Sequence, residues 1–176
     1  MSSIFRIFVT SVSLLVIVAS AAAQDVTGKA SVIDGDTIEI HGSRIRIWGI
    51  DAPESSQLCR NQEGEQYRCG ARAANALDAF IASRSLSCIE VGRDRYGRSV
   101  ATCSVGKDDL GEWLVRNGHA LDWARYSGGA YALAQRQAKQ AEQGMWEGSY
   151  VEPWRYRACM RKDGSLITCS DEGVAE

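Results

Sequence analysis

Apolar and polar residues alternate along the first half of the chain, and this period of two predicts β-strands. The alternating segments 28–34 and 36–41 meet at a turn formed by Asp34 and Gly35, which is a strong hairpin signal. Residues 44–50 continue the alternation as a third strand. Two further strands, 86–91 and 98–105, flank a short polar turn. The pattern therefore predicts a three-stranded meander followed by a hairpin.

A helical period appears between and after these strands. Residues 71–83 carry Ala73, Leu77, Phe80 and Ile81 at helical spacing. A short helix is predicted around 110–117 and a longer one around 130–143, before Gly144. Five short strands with helices after the third and the fifth predict an α+β fold, a five-stranded OB-fold β-barrel with three helices.

The first residues have a different pattern. Arg6 precedes an apolar run of about 13 residues, and small residues at 21–23 precede Gln24. A membrane anchor is the alternative, but a helix needs about 20 apolar residues to span a bilayer. We therefore predict a signal peptide at 1–23, a secreted or periplasmic protein, and no stable membrane insertion after cleavage.

Length and composition fit one globular domain. The chain has 176 residues, of which 45% are apolar and 24% charged. We place the domain at 24–150 and a C-terminal extension at 151–176. The formal net charge is −2, whereas a generic polyanion-binding protein is usually basic. Because 16 of the 20 basic residues are arginine, phosphate recognition would depend on local arginines.

The six cysteines favour disulfides over a metal site. Their number is even, no C-x-x-C spacing occurs, and the predicted compartment is oxidising. Nearest-neighbour pairing predicts the three bonds Cys59–Cys69, Cys88–Cys103 and Cys159–Cys169. The last of these would staple a hairpin in the extension. Fifteen connectivities remain formally possible.

Two short stretches, 33–37 and 46–54, combine the three carboxylates of Asp36, Asp51 and Glu54 with Arg46. Two ionised carboxylates about 4 Å apart repel by roughly 4 kcal/mol at a partly screened site, so such a cluster normally binds a cation. Oxygen ligands favour calcium or magnesium, and an arginine fork fits a phosphate. Either stretch alone is more typical of an ordinary turn or loop, but together they indicate metal-assisted phosphodiester hydrolysis.

Five segments in the same order resemble the staphylococcal nuclease (thermonuclease) family: 32–37, 46–54, 94–98, 114–120 and 138–146. The resemblance implies that Asp36, Asp51 and the backbone carbonyl of Ala52 bind one calcium ion. Many family members carry threonine where this chain has Ala52. It further implies that Glu54 positions or deprotonates the attacking water, and that Arg46 and Arg98 hold the scissile phosphate.

The same resemblance implies how the nucleic acid is bound and cut. Arg95, Tyr96 and Tyr126 occupy positions that resemble the nucleotide contacts of the family. Trp123 either covers the same base or packs in the core. The implied activity is calcium-dependent cleavage of DNA and RNA on the 5′-oxygen side of the phosphodiester, which leaves 3′-phosphate ends. We expect a monomer.

Two other functions are compatible with parts of the sequence. A catalytically silent OB-fold module that only binds nucleic acid is the first, although that class typically loses one or more of the carboxylates or arginines. An envelope interaction protein using the stapled extension is the second.

One geometric question also arises from the strand pattern. Arg46 and Asp51 have opposite parity, so a straight strand would direct them to opposite faces. Gly49 lies between them and is a candidate bend.

Overall fold

The computed structural model describes residues 25–170, so the predicted signal peptide lies outside the described residues. The strands are β1 (Val26–Asp34), β2 (Thr37–Ile40), β3 (Ser43–Ile47), β4 (Ile50–Asp51), β5 (Leu58–Arg60), β6 (Gln66–Arg68), β7 (Ser85–Arg93), β8 (Ser99–Val105), β9 (Asp108–Asp109) and β10 (Leu121–Asp122). The helices are α1 (Cys69–Ile81), α2 (Leu110–Arg116), α3 (Ala124–Ser127), α4 (Ala132–Gln140), a 3-10 turn (Gly144–Glu147), α5 (Pro153–Met160) and α6 (Leu166–Cys169).

Five of these strands close into a barrel. Their order is β3-β2-β1-β7-β8, with antiparallel neighbours throughout. A parallel pairing of β3 with β8, which sets Ile45 opposite Ser99, joins the two ends of the sheet. The structure thus confirms the predicted α+β barrel of the OB type.

The barrel interior is filled by the alternate apolar residues that the period of two identified. Ile38, Ile40, Ile45 and Ile47 on β2 and β3 are each at most 1% exposed. Helices α1 and α2 bury their apolar faces on the same core. At roughly 1.5–3 kcal/mol for each buried aliphatic side chain, this packing dominates the stability of the barrel.

The described cysteines form the nearest-neighbour pairs Cys59–Cys69, Cys88–Cys103 and Cys159–Cys169. The middle pair joins residues that lie directly opposite each other on β7 and β8. The first pair staples the polar segment after Glu54, which contains the short hairpin β5–β6. The first and third bonds constrain the two segments that lie outside the barrel.

The C-terminal extension packs back onto the domain through two short helices. Val151 and Tyr156 are 2% and 3% exposed. The buried amide of Gln57 donates to the carbonyl of Val151 at 2.6 Å, and the amide of Leu58 donates to Ser170 Oγ at 3.1 Å. Both anchors lie in the segment just after Glu54, so the extension is fixed beside that residue.

No helix within residues 25–170 is both long and apolar enough to cross a membrane.

Candidate active site

A cleft of about 760 Å³ opens between the barrel and the extension. Its walls are the β1–β2 turn, the segment from Arg46 to Glu54, the β7–β8 turn, and helices α3 and α5. The predicted site residues that line it are Asp36, Arg46, Ala52, Glu54, Arg95, Tyr96, Arg98 and Tyr126. Asp51 is fully buried beside them. The structure therefore brings together every side chain that the sequence singled out for metal, phosphate or base.

Asp36 ends the tight turn between β1 and β2. Its backbone amide donates to Asp34 Oδ1 at 3.1 Å, which fixes the turn. Its own carboxylate accepts from the Thr37 hydroxyl at 3.1 Å and from the Ala52 amide at 3.2 Å. Burial raises the pKa of Asp36 to about 7, against the opposing effect of Arg46. Arg46 and the hydrogen bonds thus offset only part of the free-energy cost of burying the ionised carboxylate.

Arg46 and Asp51 meet although a straight strand would separate them. Strand β3 ends at Ile47, and Gly49 follows with φ +74°, a conformation that favours glycine. The chain then re-enters a sheet as β4, where Asp51 pairs with Leu121. Gly49 therefore supplies the bend that turns both side chains to one place.

One nitrogen of Arg46 bridges two carboxylates. Arg46 Nη2 lies 2.9 Å from Asp36 Oδ2 and 2.8 Å from Asp51 Oδ1. Burial opposes the charge of the guanidinium, but the two carboxylates raise the pKa of Arg46 above its usual value. The arginine remains charged and holds the two aspartates together.

Glu54 sits on a turn that two neighbours, Gln57 and Gly70, define. Its backbone amide donates to Gln57 Oε1 at 3.2 Å, and its carbonyl accepts from the Gln57 amide at 2.7 Å. At Gly70, where α1 begins, an added Cβ would lie 1.9 Å from the Glu54 carbonyl oxygen. Only glycine permits this approach. The side chain of Glu54 is 39% exposed to the cleft.

The β7–β8 turn presents Arg98, Arg95 and Tyr96 to the cleft. Arg98 Nε donates to Asp94 Oδ2 at 2.7 Å, and hydrogen bonds from Arg98 and Tyr96 outweigh burial to lower the pKa of Asp94. Arg95 Cζ lies 4.8 Å from the centre of the Tyr96 ring. Tyr96 and Tyr126 are 69% and 55% exposed, so both rings are accessible to a ligand on part of their surface.

Arg157 of α5 also enters the cleft, and the sequence analysis missed it. Its guanidinium bonds both oxygens of Asp51, at 3.0 and 2.8 Å, and Glu54 Oε1 at 2.9 Å. Burial opposes its charge, but the bonds to Asp51 and Glu54 raise the pKa of Arg157. Trp154 lies one helical turn earlier and stacks on Trp123 with 6.3 Å between ring centres. The sequence signal for Arg157 was its position three residues after Trp154, since residues i and i+3 share a helix face.

Trp123 lies close to the two half-buried arginines, Arg46 and Arg157. Its ring is 5.7 Å from Arg46 Cζ and 5.6 Å from Arg157 Cζ. The side chain is half-buried and lines the cleft rather than being enclosed in the barrel core. It therefore packs the site arginines in place.

Comparison with known proteins identifies the family. Residues 44–148 match the model of the staphylococcal nuclease homologue family. The chain belongs to the staphylococcal nuclease family. The matched residues include Arg46, Asp51, Glu54 and Arg98, and the barrel strands β3, β7 and β8.

The chain is also similar to individual proteins, of which two are named as nucleases. The succinoglycan biosynthesis protein ExoI of Rhizobium meliloti (strain 1021) is 49% identical over 130 residues, which cover 72% of this chain and 68% of the relative. An uncharacterized endonuclease of Escherichia coli O157:H7 is 30% identical over 76% of this chain and 86% of the relative. The probable staphylococcal-like nuclease CAN4 of Oryza sativa subsp. japonica is 32% identical over 67% of this chain and 22% of the relative.

This staphylococcal nuclease family member is a nuclease. Its homologues include proteins named as endonucleases and nucleases, and its own cleft is lined by residues that the sequence predicted to bind metal and phosphate. The silent binding module is therefore set aside, because Asp36, Arg46, Asp51, Glu54 and Arg98 are all present.

The donor set of this nuclease fits a hard metal ion. Asp36 and Asp51 each place an oxygen within 3 Å of one Arg46 nitrogen, so these two oxygens lie within reach of a common cation. The hydrogen bond from the Ala52 amide to Asp36 Oδ2 places the Ala52 backbone beside this carboxylate. Within the described part of the chain, no three Asp, Glu, His or Cys side chains are already arranged around a common metal position. Guanidinium nitrogens of Arg46 and Arg157 contact the three carboxylates instead.

Proposed function

We propose that this nuclease depends on calcium, hydrolyses both DNA and RNA, and leaves 3′-phosphate ends. The observation that carries the proposal is the convergence of two aspartates, one glutamate and two family arginines on a single cleft. Asp36, Asp51 and the carbonyl of Ala52 would hold the ion. Bound calcium would supply positive charge that activates water and offsets the charge of a phosphate oxygen.

The chain's own residues account for the rest of the chemistry. Glu54 lines the cleft with its side chain 39% exposed, where it would orient a water molecule and accept its proton. Arg46 and Arg98 would bind the non-bridging oxygens of the phosphate, whose negative charge increases in the transition state. Asp94 holds Arg98 at 2.7 Å, which orients the guanidinium before substrate arrives. The scissile bond on the 5′-oxygen side is proposed from the family alone.

A broad substrate range follows from the way the cleft would bind nucleic acid. Tyr96 and Tyr126 offer exposed rings on which a base could stack, and stacking tolerates any base. The arginine side chains would bind the phosphate groups, which DNA and RNA have in common. We therefore propose that both polymers are substrates.

The proposal is tested by incubating the protein with single-stranded DNA or with RNA, in calcium or in excess chelator. We expect cleavage of both polymers in calcium, none in chelator, and fragments whose 3′ ends become extendable only after phosphatase treatment. Cleavage that persists in chelator would overturn the calcium dependence. Products with 5′-phosphate and free 3′-hydroxyl ends would overturn the proposed bond of attack.

We also propose that the enzyme acts outside the cytoplasm, in the periplasm or the medium. The pattern of residues 1–23 and the three disulfides support this location. Mass spectrometry of the protein released from cells should find a chain that begins at Gln24 and contains no free thiol. A cytoplasmic protein that retains Met1, or that has reduced cysteines, would contradict the proposal.

A further inference from the structure

Arg157 forms hydrogen bonds with carboxylate oxygens that lie at the proposed metal site. It bonds both oxygens of Asp51 and one oxygen of Glu54 at 2.8 to 3.0 Å. Asp51 Oδ1 also accepts from Arg46 at 2.8 Å. Both oxygens of Asp51 therefore already accept a charge-assisted bond from Arg157, with which a cation at the same oxygens would compete.

The helix that carries Arg157 is firmly docked. Tyr156 is buried and its hydroxyl lies 3.1 Å from Ser56 Oγ. The Cys159–Cys169 disulfide closes the segment two residues after Arg157. Since the backbone is held on both sides, only the side chain of Arg157 is expected to move. Its side chain is 26% exposed, which leaves a path into the cleft.

The charges of the site lead to the same conclusion. Asp36, Asp51 and Glu54 supply three carboxyl groups, and two guanidinium groups already contact them. A divalent cation adds two positive charges at the same oxygens, so it is repelled by a guanidinium a few ångströms away. Removing one guanidinium relieves this repulsion. Arg46 is the more buried of the two, at 18% exposed, so Arg157 is the one that can leave.

We propose that Arg157 competes with calcium for Asp51 and Glu54, so that the C-terminal extension sets the calcium concentration at which the nuclease becomes active. This inference rests on the proposed calcium dependence. Arg157 is a positioning residue in this account, because it acts through the two carboxylates.

Isothermal titration of calcium into the metal-free, full-length protein tests the competition without any nuclease assay. We expect Arg157→Gln to bind calcium with a Kd about tenfold lower than that of the wild type, which corresponds to about 1.4 kcal/mol. Arg161→Gln is the matched control, since Arg161 lines the same cleft near the end of α5. Its Kd should stay within about twofold of the wild type.

A second variant covers the case in which Arg157→Gln unfolds. Arg157→Lys keeps the charge but loses the planar fork, so its Kd should be lower than that of the wild type by about twofold to fivefold. Circular dichroism shows which variants are folded.

An unchanged or higher Kd in both Arg157 variants would overturn the competition, as would an equal tightening in Arg161→Gln. If the wild type binds calcium but does not cleave, the proposed function fails while the Kd comparison still decides this inference. If neither the wild type nor Arg157→Gln binds calcium, the inference fails together with the proposed metal.

Discussion

Replacing Glu54 by glutamine is expected to lower kcat for single-stranded DNA by about a thousandfold, since general-base catalysis contributes roughly 10²- to 10⁴-fold. The amide has nearly the same shape as the carboxylate but cannot accept a proton from water. The side chain is 39% exposed, and its turn is held by backbone bonds to Gln57. The variant should therefore fold normally, and KM should change little. Steady-state kinetics in saturating calcium measures both parameters.

The matched control for this variant is Glu152→Gln. Glu152 pairs with Arg155 of α5, just as Glu54 pairs with Arg157 of the same helix. Glu152 precedes α5 and is not among the residues that line the cleft. Its variant should retain wild-type kcat. If Glu54→Gln kept more than a tenth of the wild-type kcat, Glu54 would not be the general base.

The sequence predicted the barrel well because its signals are local. Alternation in 28–34 and 36–41 sets which residues face the interior, and the Asp34–Gly35 turn fixes the register of β1 with β2. Ile38 and Ile40 are fully buried as a result. A local pattern, the helical spacing of apolar residues, also identified α1, whose Leu77 and Ile81 are buried on one face.

The meeting of Arg46 with Asp51 was harder to predict. It depends on the left-handed conformation of Gly49, which converts residues of opposite strand parity into neighbours 2.8 Å apart. The sequence identified Gly49 as a candidate bend but could not give its backbone φ angle. Family resemblance, rather than spacing, assigned both residues to one site.

Arg157 was beyond local sequence reasoning. Its contacts with Asp51 and Glu54 span 106 and 103 residues, and they depend on how the extension docks on the segment after Glu54. The family match ends at residue 148, so the resemblance gave no guidance for this arginine either. The hydrogen bonds of Tyr156 with Ser56 and of Val151 with Gln57 explain why a helix outside the barrel contributes to the site.

Replacing Arg46 by glutamine is expected to lower kcat by about 10²- to 10³-fold, the usual cost of losing one preorganised donor to developing negative charge. Arg157 remains near Asp51 in this variant, but it has no bond to Asp36. Arg46→Lys should recover only part of the activity, because one ammonium cannot reproduce a planar fork. Kinetics of the two variants separates the role of charge from that of geometry.

The same substitution should destabilise the metal-free protein more than the calcium-loaded one. Without Arg46, the buried carboxylates of Asp36 and Asp51 lose the nitrogen that joins them, and we expect a loss of roughly 2 kcal/mol in the free energy of unfolding. Calcium at those oxygens would replace the missing positive charge and restore part of the stability. Arg44→Gln is the control on the same strand, since Arg44 is 62% exposed and pairs with Glu39 only at 3.8 Å. Equal losses with and without calcium in urea unfolding would show that Arg46 stabilises the fold independently of a shared metal and arginine site.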